Sequence, residues 1–191
     1  MNAKTLIVLG MSAALAGCVS FGPKTPETLL SLRPTKAPAA GATTSGTLAT
    51  ALVVLEPSAE ARIAVTRVPV QIDDANVAYL KETMWVERPS RLFQRLLAET
   101  IRAKGTRLVI ENDVGATGDM LSGRLLDMGY DVRSGSVVVR YDAIKSTGGG
   151  KIETRRFESV VPVTAAEARY VGPALNEASN TVAQAVAAWV G

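Results

Sequence analysis

Val137-Val138-Val139-Arg140-Tyr141-Asp142-Ala143-Ile144 alternates strictly. Val137, Val139, Tyr141 and Ala143 share one side, and Val138, Arg140, Asp142 and Ile144 share the other. That is the two-residue period of a half-buried strand. Gly148-Gly149-Gly150 then breaks the run, and Ile152 to Val163 returns with Phe157 and Val161 on one face and Ile152 and Val160 on the other. Two alternating segments around a glycine turn make a hairpin. The segment from Asp119 to Asp131 precedes them as a further strand, so the second half of the chain reads as an antiparallel meander.

Upstream, Ala51 to Leu55 is a continuous apolar run that stops at Pro57, as in a buried strand. Arg62 to Val65, Val77 to Leu80 and Arg107 to Glu111 are shorter strand candidates. Pro89 suits the first position of a helix. Beyond it Leu92, Phe93, Leu96, Leu97 and Ile101 recur at helical spacing, with Arg91, Arg95, Glu99 and Arg102 mostly off that stripe. Gly105 ends the segment, so a helix is expected over 89–104. A last helix is expected after Thr164 and Glu167, which are spaced as a capping box. Pro173 restarts or bends it. Leu175, Ala178, Val182, Ala185, Val186 and Trp189 make its apolar stripe. Strands, helix, strands, helix is an α+β order, with two main helices on one face of an antiparallel or mixed sheet.

The amino terminus carries a different message. Lys4 supplies a positive start, Thr5 to Ala14 an apolar run, and Leu15-Ala16-Gly17-Cys18 closes it. The run is too short to span a bilayer and has the layout of a secretory leader. Cys18 is the one cysteine of the chain. A small-residue stretch ending in an otherwise unused cysteine is a lipobox, in which the thiol is the alkylated group. Residues 1–17 then form a lipoprotein signal peptide, 18–27 a lipidated tether, and 28–191 a single domain. Within that domain 33–47 is rich in Pro, Ala, Gly, Ser and Thr and reads as a flexible loop. Two or more acyl chains hold a protein on a membrane firmly, where one does so marginally. Val19 lacks the acidic character of an inner-membrane retention signal, which favours the outer membrane.

Composition narrows the chemistry. The 191 residues include no histidine, and 47% are hydrophobic but only 5% aromatic. Ser-His-Asp triads, Cys-His pairs and most zinc or iron sites are thereby excluded. A net charge of +3, from which Lys4 departs with the leader, is too small to point to nucleic acid. No cofactor or metal is expected. Gly148-Gly149-Gly150-Lys151 is not a phosphate loop, because Ile152 stands where a Ser or Thr must bind magnesium and the upstream glycine is missing. Asp73, Asp74, Glu82 and Glu87 read as turn and surface residues. An enzyme would have to be built from such carboxylates, Lys or Tyr, and none is expected.

What remains is binding. Arg88, Arg91 and Arg95 form a modest basic cluster, as do Arg155 and Arg156, and solvated faces carry such groups routinely. Trp85 lies between a strand and the first helix, where its ring can fill the gap and its N–H reach a backbone carbonyl, or anchor a partner. Trp189 has the same ambiguity. Tyr79, Trp85, Arg88, Arg91 and Trp189 are the candidate partner-binding residues, and Cys18 is the lipidation site.

Several stretches occur in an order shared with one family. They are Val54-Leu55-Glu56-Pro57, Arg62-Ile63-Ala64-Val65, Tyr79-Leu80-Lys81 with Trp85-Val86, and Arg91-Leu92-Phe93-Gln94 with Leu97. Arg156-Phe157-Glu158 with Val161-Pro162 and a terminal helix ending in Trp189 follow. With the lipobox, the set resembles the ABC-type transport auxiliary lipoproteins, the PqiC-like lipoproteins, from about Thr28 to Trp189. Ala61-Arg62 replaces the family's frequent Asp-Arg, and Asp119-Met120 its Asp-Tyr. The resemblance implies a first β segment at Thr28 to Leu32. It also implies a docking role at the outer membrane for an MCE-family protein and its ABC permease and ATPase, which move phospholipid between membranes. Self-association into a homo-oligomer fits such a role. The alternative is an independent envelope lipoprotein that binds peptidoglycan, a small hydrophobic ligand or a partner protein.

Overall fold

The computed structural model describes residues 28–111, 115 and 117–191. The lipobox, Cys18 and the tether lie outside the described residues. The elements run β1 (Leu52–Val54), β2 (Ser58–Ala59), β3 (Arg67–Gln71), β4 (Val77–Met84), α1 (Pro89–Arg102), β5 (Val109–Ile110), β6 (Asp119–Asp131), β7 (Ser136–Ser146), β8 (Ile152–Pro162) and α2 (Ala168–Val190). All eight strands join one mixed sheet under two helices, the α+β arrangement expected.

Strand β6 is its spine. One edge pairs with β7 along its length, and β7 pairs in turn with β8, both antiparallel. The other edge takes β1, β2 and β3 in succession, all parallel. β5 lies outside β1, and β4 lies outside β3. The ladder slips between Leu125 and Asp127, so Leu126 is an extra residue. This bulge moves the buried set from Leu121 and Leu125 to Met128, and it is why adjacent leucines at 125 and 126 interrupt the alternation.

The alternation of β7 holds as read. Val137, Val139, Tyr141 and Ala143 are fully buried toward the helices. Phe93 of α1 meets Tyr141 edge-on at 5.2 Å, and Trp189 of α2 meets Phe157 at 5.7 Å. Tyr141 and Phe157 are cross-strand neighbours, so both helices sit on the same face. Leu92, Phe93, Leu96, Leu97 and Ile101 are all buried. Buried Gln94 donates to the Val54 and Glu111 carbonyls, tying α1 to the ends of two strands.

Several local expectations are corrected. Arg62 to Val65 is turn, and the strand is Arg67–Gln71. Ile63 is nevertheless fully buried, because it plugs the core from that turn. Thr28 to Leu32 pairs at one bridge, Leu30 with Trp85, rather than as a strand. The Thr164–Glu167 capping box does not form, since Glu167 is the N-cap of α2 and no side chain caps it. Pro173 lies inside a helix that continues through it. Ala185 is exposed, and Ala183, Ala187 and Val190 complete the buried stripe instead.

Gly123 shows how tightly the centre is packed. A Cβ there would lie 2.1 Å from the Asp142 carbonyl and 2.7 Å from the Tyr141 hydroxyl, at a φ of +154°. The Tyr141 ring occupies that space, and its hydroxyl donates to the Ser122 carbonyl at 2.7 Å. Burial pushes the Tyr141 phenol well above its ordinary pKa of 10.0. Gly123→Ala should therefore cost at least about 2 kcal/mol in urea unfolding. Gly149→Ala, in an open turn, should stay within about 0.5 kcal/mol of the parent.

Candidate docking surfaces

Residues 28–36 enter at the β4 edge and cross to α2. The Leu30 N–H donates to the Met84 carbonyl at 2.7 Å, and the Val86 N–H donates to the Leu30 carbonyl at 2.9 Å. Leu30 and Leu32 turn inward while Leu29 is 47% exposed. The Leu30 side chain lies over Gly172 of α2, where a Cβ would come within 2.9 Å of it. The chain then runs along α2 under a row of three amides.

Asn176, Asn180 and Gln184 are spaced four apart, so they share a face of the helix. Asn176 Oδ1 accepts from the Arg33 N–H at 2.8 Å. Asn180 Oδ1 accepts from both the N–H and the hydroxyl of Thr35, at 2.7 and 3.0 Å. Asn180 Nδ2 donates to the Arg33 carbonyl at 2.9 Å and to the Asn176 carbonyl at 2.8 Å. Gln184 Nε2 donates to the Thr35 hydroxyl at 3.1 Å. Asn180 is only 3% exposed and uses its full hydrogen-bonding capacity on this clamp. Asn176, Asn180 and Gln184 were not singled out in the sequence. The available signal was a row of amides at i, i+4 and i+8 beside an apolar stripe.

The predicted partner-binding residues do not converge. Trp85 is 2% exposed and packs in the core, so it presents no surface to a partner, and its indole N–H lacks the expected carbonyl partner. Tyr79, on β4, carries the Arg67 guanidinium 3.8 Å above its ring. Arg88 and Arg91 reach Glu56 and Glu87 at 3.8 and 3.6 Å. Trp189 is half-buried, with Lys145 Nζ 5.0 Å from its ring. Tyr79 lines a hollow with residues 166–168 at the start of α2, whereas Trp189 is near its end. About twenty helical residues, roughly 30 Å, separate those two places.

The four carboxylates are also spread out. Asp73 caps the β3–β4 turn, accepting from the N–H groups of Ala75 and Asn76. The Asn76 side-chain amide, with those backbone donors, holds its carboxyl below the ordinary 3.8. Asp74 pairs with Arg133. Glu82 sits near the far end of β4 with a φ of +47°, and Glu87 binds Arg91 and Arg95. Among the described residues no cluster of three metal-binding side chains is present.

The sheet face away from the helices is charged in rows. Arg62, Asp127, Arg140 and Glu158 are linked in sequence across the strands. Beside them Glu60 pairs with Arg124, and Asp142 pairs with Arg156. Arg62, Arg133, Asp74 and Asp127 line a 260 Å³ hollow at one end of this face. Its cations are already matched to anions, so it is a solvated, self-neutralised surface.

With the fold in view, comparison decides the family. The family model described as ABC-type transport auxiliary lipoprotein component matches residues 30–187. The chain belongs to that family. A Xanthomonas campestris protein of the DUF330 family, solved by crystallography, is similar with a TM-score of 0.67. It is 14% identical, with 87% of this chain and 93% of that one covered. A second crystal structure, of an uncharacterized protein, has a TM-score of 0.66 at 14% identity, covering 74% of this chain and 92% of the other. At these identities the likeness is one of fold. No curated protein matches the chain in sequence. The matched region of this transport auxiliary lipoprotein starts at the residue that pairs with Trp85 and takes in the whole clamp.

Asn180→Ala should cost about 2 kcal/mol or more, because it strands polar groups of Arg33 and Thr35. Trypsin should then cut after Lys36 several times faster, while cleavage elsewhere is unchanged. A second outcome concerns acid. Arg156 hydrogen bonds, at 2.6 and 2.7 Å, hold the Asp142 carboxyl below 3.8. A depressed folded pKa stabilises fully above the unfolded value and is lost as pH falls through the folded one. Asp142→Asn should therefore lower Tm slightly at pH 7, and the gap to the parent should close below about pH 3.8. Both side chains are more than a third exposed, so the gap should be small and should narrow with added salt.

Proposed function

We propose that this auxiliary lipoprotein is the lipid-anchored outer-membrane part of an MCE-type ABC system for phospholipid transport between membranes, acting by docking. The amide clamp is the observation that carries the reading. An anchor at Cys18 would be followed by nine residues before Thr28, a span of at most about 35 Å. A load on that tether meets a segment that is paired to β4 and hydrogen-bonded to α2 over residues 30–35. The domain is thus held as one body close to the bilayer, which suits a part that seats a conduit.

Among the described residues no helix is long and apolar enough to cross a membrane, and in this reading the attachment is the lipid on Cys18. The separate ATPase and permease supply energy, and the auxiliary domain supplies position. The scattered carboxylates and the self-neutralised charged face agree with that division.

The test is a pair of strains, one lacking the gene and one carrying Cys18→Ala. Both should become detergent- and dye-permeable, and affinity purification of the parent should recover an MCE protein and a permease. A normal permeability barrier in both strains, with no transporter subunit recovered, would overturn the proposal.

A further inference from the structure

Three exposed apolar side chains gather around one buried residue. The Trp85 N–H donates to the Thr66 carbonyl at 2.7 Å, and Leu30 is bridged to Trp85. Trp85 and Leu30 turn inward. Their chain neighbours Val86 and Leu29 turn outward, as side chains alternate in extended backbone, and are 53% and 47% exposed. Val65, beside Thr66, is exposed as well. Single exposed apolar residues are ordinary, but a contiguous group of them marks an interaction surface.

Cations border this group. Arg67 is the register partner of Met84 and, among the described residues, is matched to the Tyr79 ring rather than to a carboxylate. Arg88, Arg91 and Arg95 begin two residues after Val86 and share the outer side of α1. They have two carboxylates between them, Glu56 and Glu87. Glu56 already accepts from the Ser90 hydroxyl at 2.6 Å. All three arginine side chains are more than half exposed, whereas Glu87 is only a quarter exposed. An approaching anion therefore meets arginine first.

The tether indicates what that anion is. The patch opens at Leu29, one residue beyond Thr28, so an anchor at Cys18 holds it within about 35 Å of the bilayer. We propose that the surface around Leu29 and Val86 rests on the anionic phospholipid headgroups of the membrane that carries the anchor. This rests on the anchor proposed above. The apolar side chains enter the boundary between headgroups and acyl chains, and the arginines reach the phosphates. Anionic lipid supplies the complementary charge. Tethering raises the local concentration of headgroups, so individually weak contacts suffice. Seated there, the domain is fixed in orientation as well as in distance.

The test uses the lipidated chain in vesicles of phosphatidylcholine and phosphatidylglycerol. Cys18 is the one native cysteine and its thiol carries the lipid, so Val86→Cys provides a single thiol for an environment-sensitive fluorophore. Leu48→Cys is the control. Leu48 is 46% exposed, but its carbonyl accepts from Gly118 before the start of β6, whereas β3 pairs with the end of that strand. A spin-labelled lipid should quench the label at 86 at least about threefold more than the label at 48. Omitting phosphatidylglycerol, or adding Arg88→Gln with Arg91→Gln, should bring that quenching down toward the value at 48 while flotation with vesicles is unchanged. Equal quenching at the two positions on floated vesicles would overturn this proposal and leave the anchor standing. So would quenching at 86 that neither change reduces. A label at 86 shielded from aqueous iodide yet untouched by the spin-labelled lipid would overturn it too, because a protein would then cover the patch. A lipid-free chain that fails to float would remove the anchor and this proposal together.

Discussion

Tyr141 under Phe93 and over Gly123 is the contact on which the rest of the structure depends. The ring lies at the middle of β7, fully buried, and fills the space that a side chain at 123 would take. Its hydroxyl satisfies the Ser122 carbonyl, so a polar group is buried without loss. Phe93 reaches it from α1, which sets the height of that helix above the sheet. With few aromatic residues available, aliphatic side chains fill the remaining core, and this one stack registers helix against sheet.

From that centre the two faces of the sheet have separate tasks. The buried face carries the helices, and α2 carries the amide row that grips residues 33–35. The open face carries matched charges, which cost little in solvent and keep the sheet from being an apolar patch. In this member of a transport auxiliary family, β8 pairs on one side only among the described residues, and the amino-terminal segment lies along α2.

How far the sequence could be read depended on the range of each interaction. The helix at Pro89 and the strands at 119–163 are encoded in local period, so they were legible. The turn at 61–66 was not. Arg62-Ile63-Ala64-Val65 has a β-like composition, but Arg62 is drawn across to Gln71, Asp127 and the Leu126 carbonyl, contacts that composition does not report. Glu167 has capping-box spacing, yet the helix starts one residue later and Thr164 lies beyond reach of its first turn. Trp85 was placed correctly at the strand–helix junction, but whether its ring faced in or out depended on the core around it.

The candidate surface divides the same way. Local pattern alone determined the alternating strands, the amphipathic first helix and the absence of imidazole chemistry. Those follow from periodicity and from which functional groups a chain possesses. Only the tertiary structure decided that Asn176, Asn180 and Gln184 hold a segment some 145 positions away, and that Tyr79 and Trp189 lie far apart. It also decided that, among the described residues, β8 pairs on one side only. Each of these rests on groups distant in sequence meeting across the fold, and hydrogen bonds between such groups leave no periodic trace in the chain.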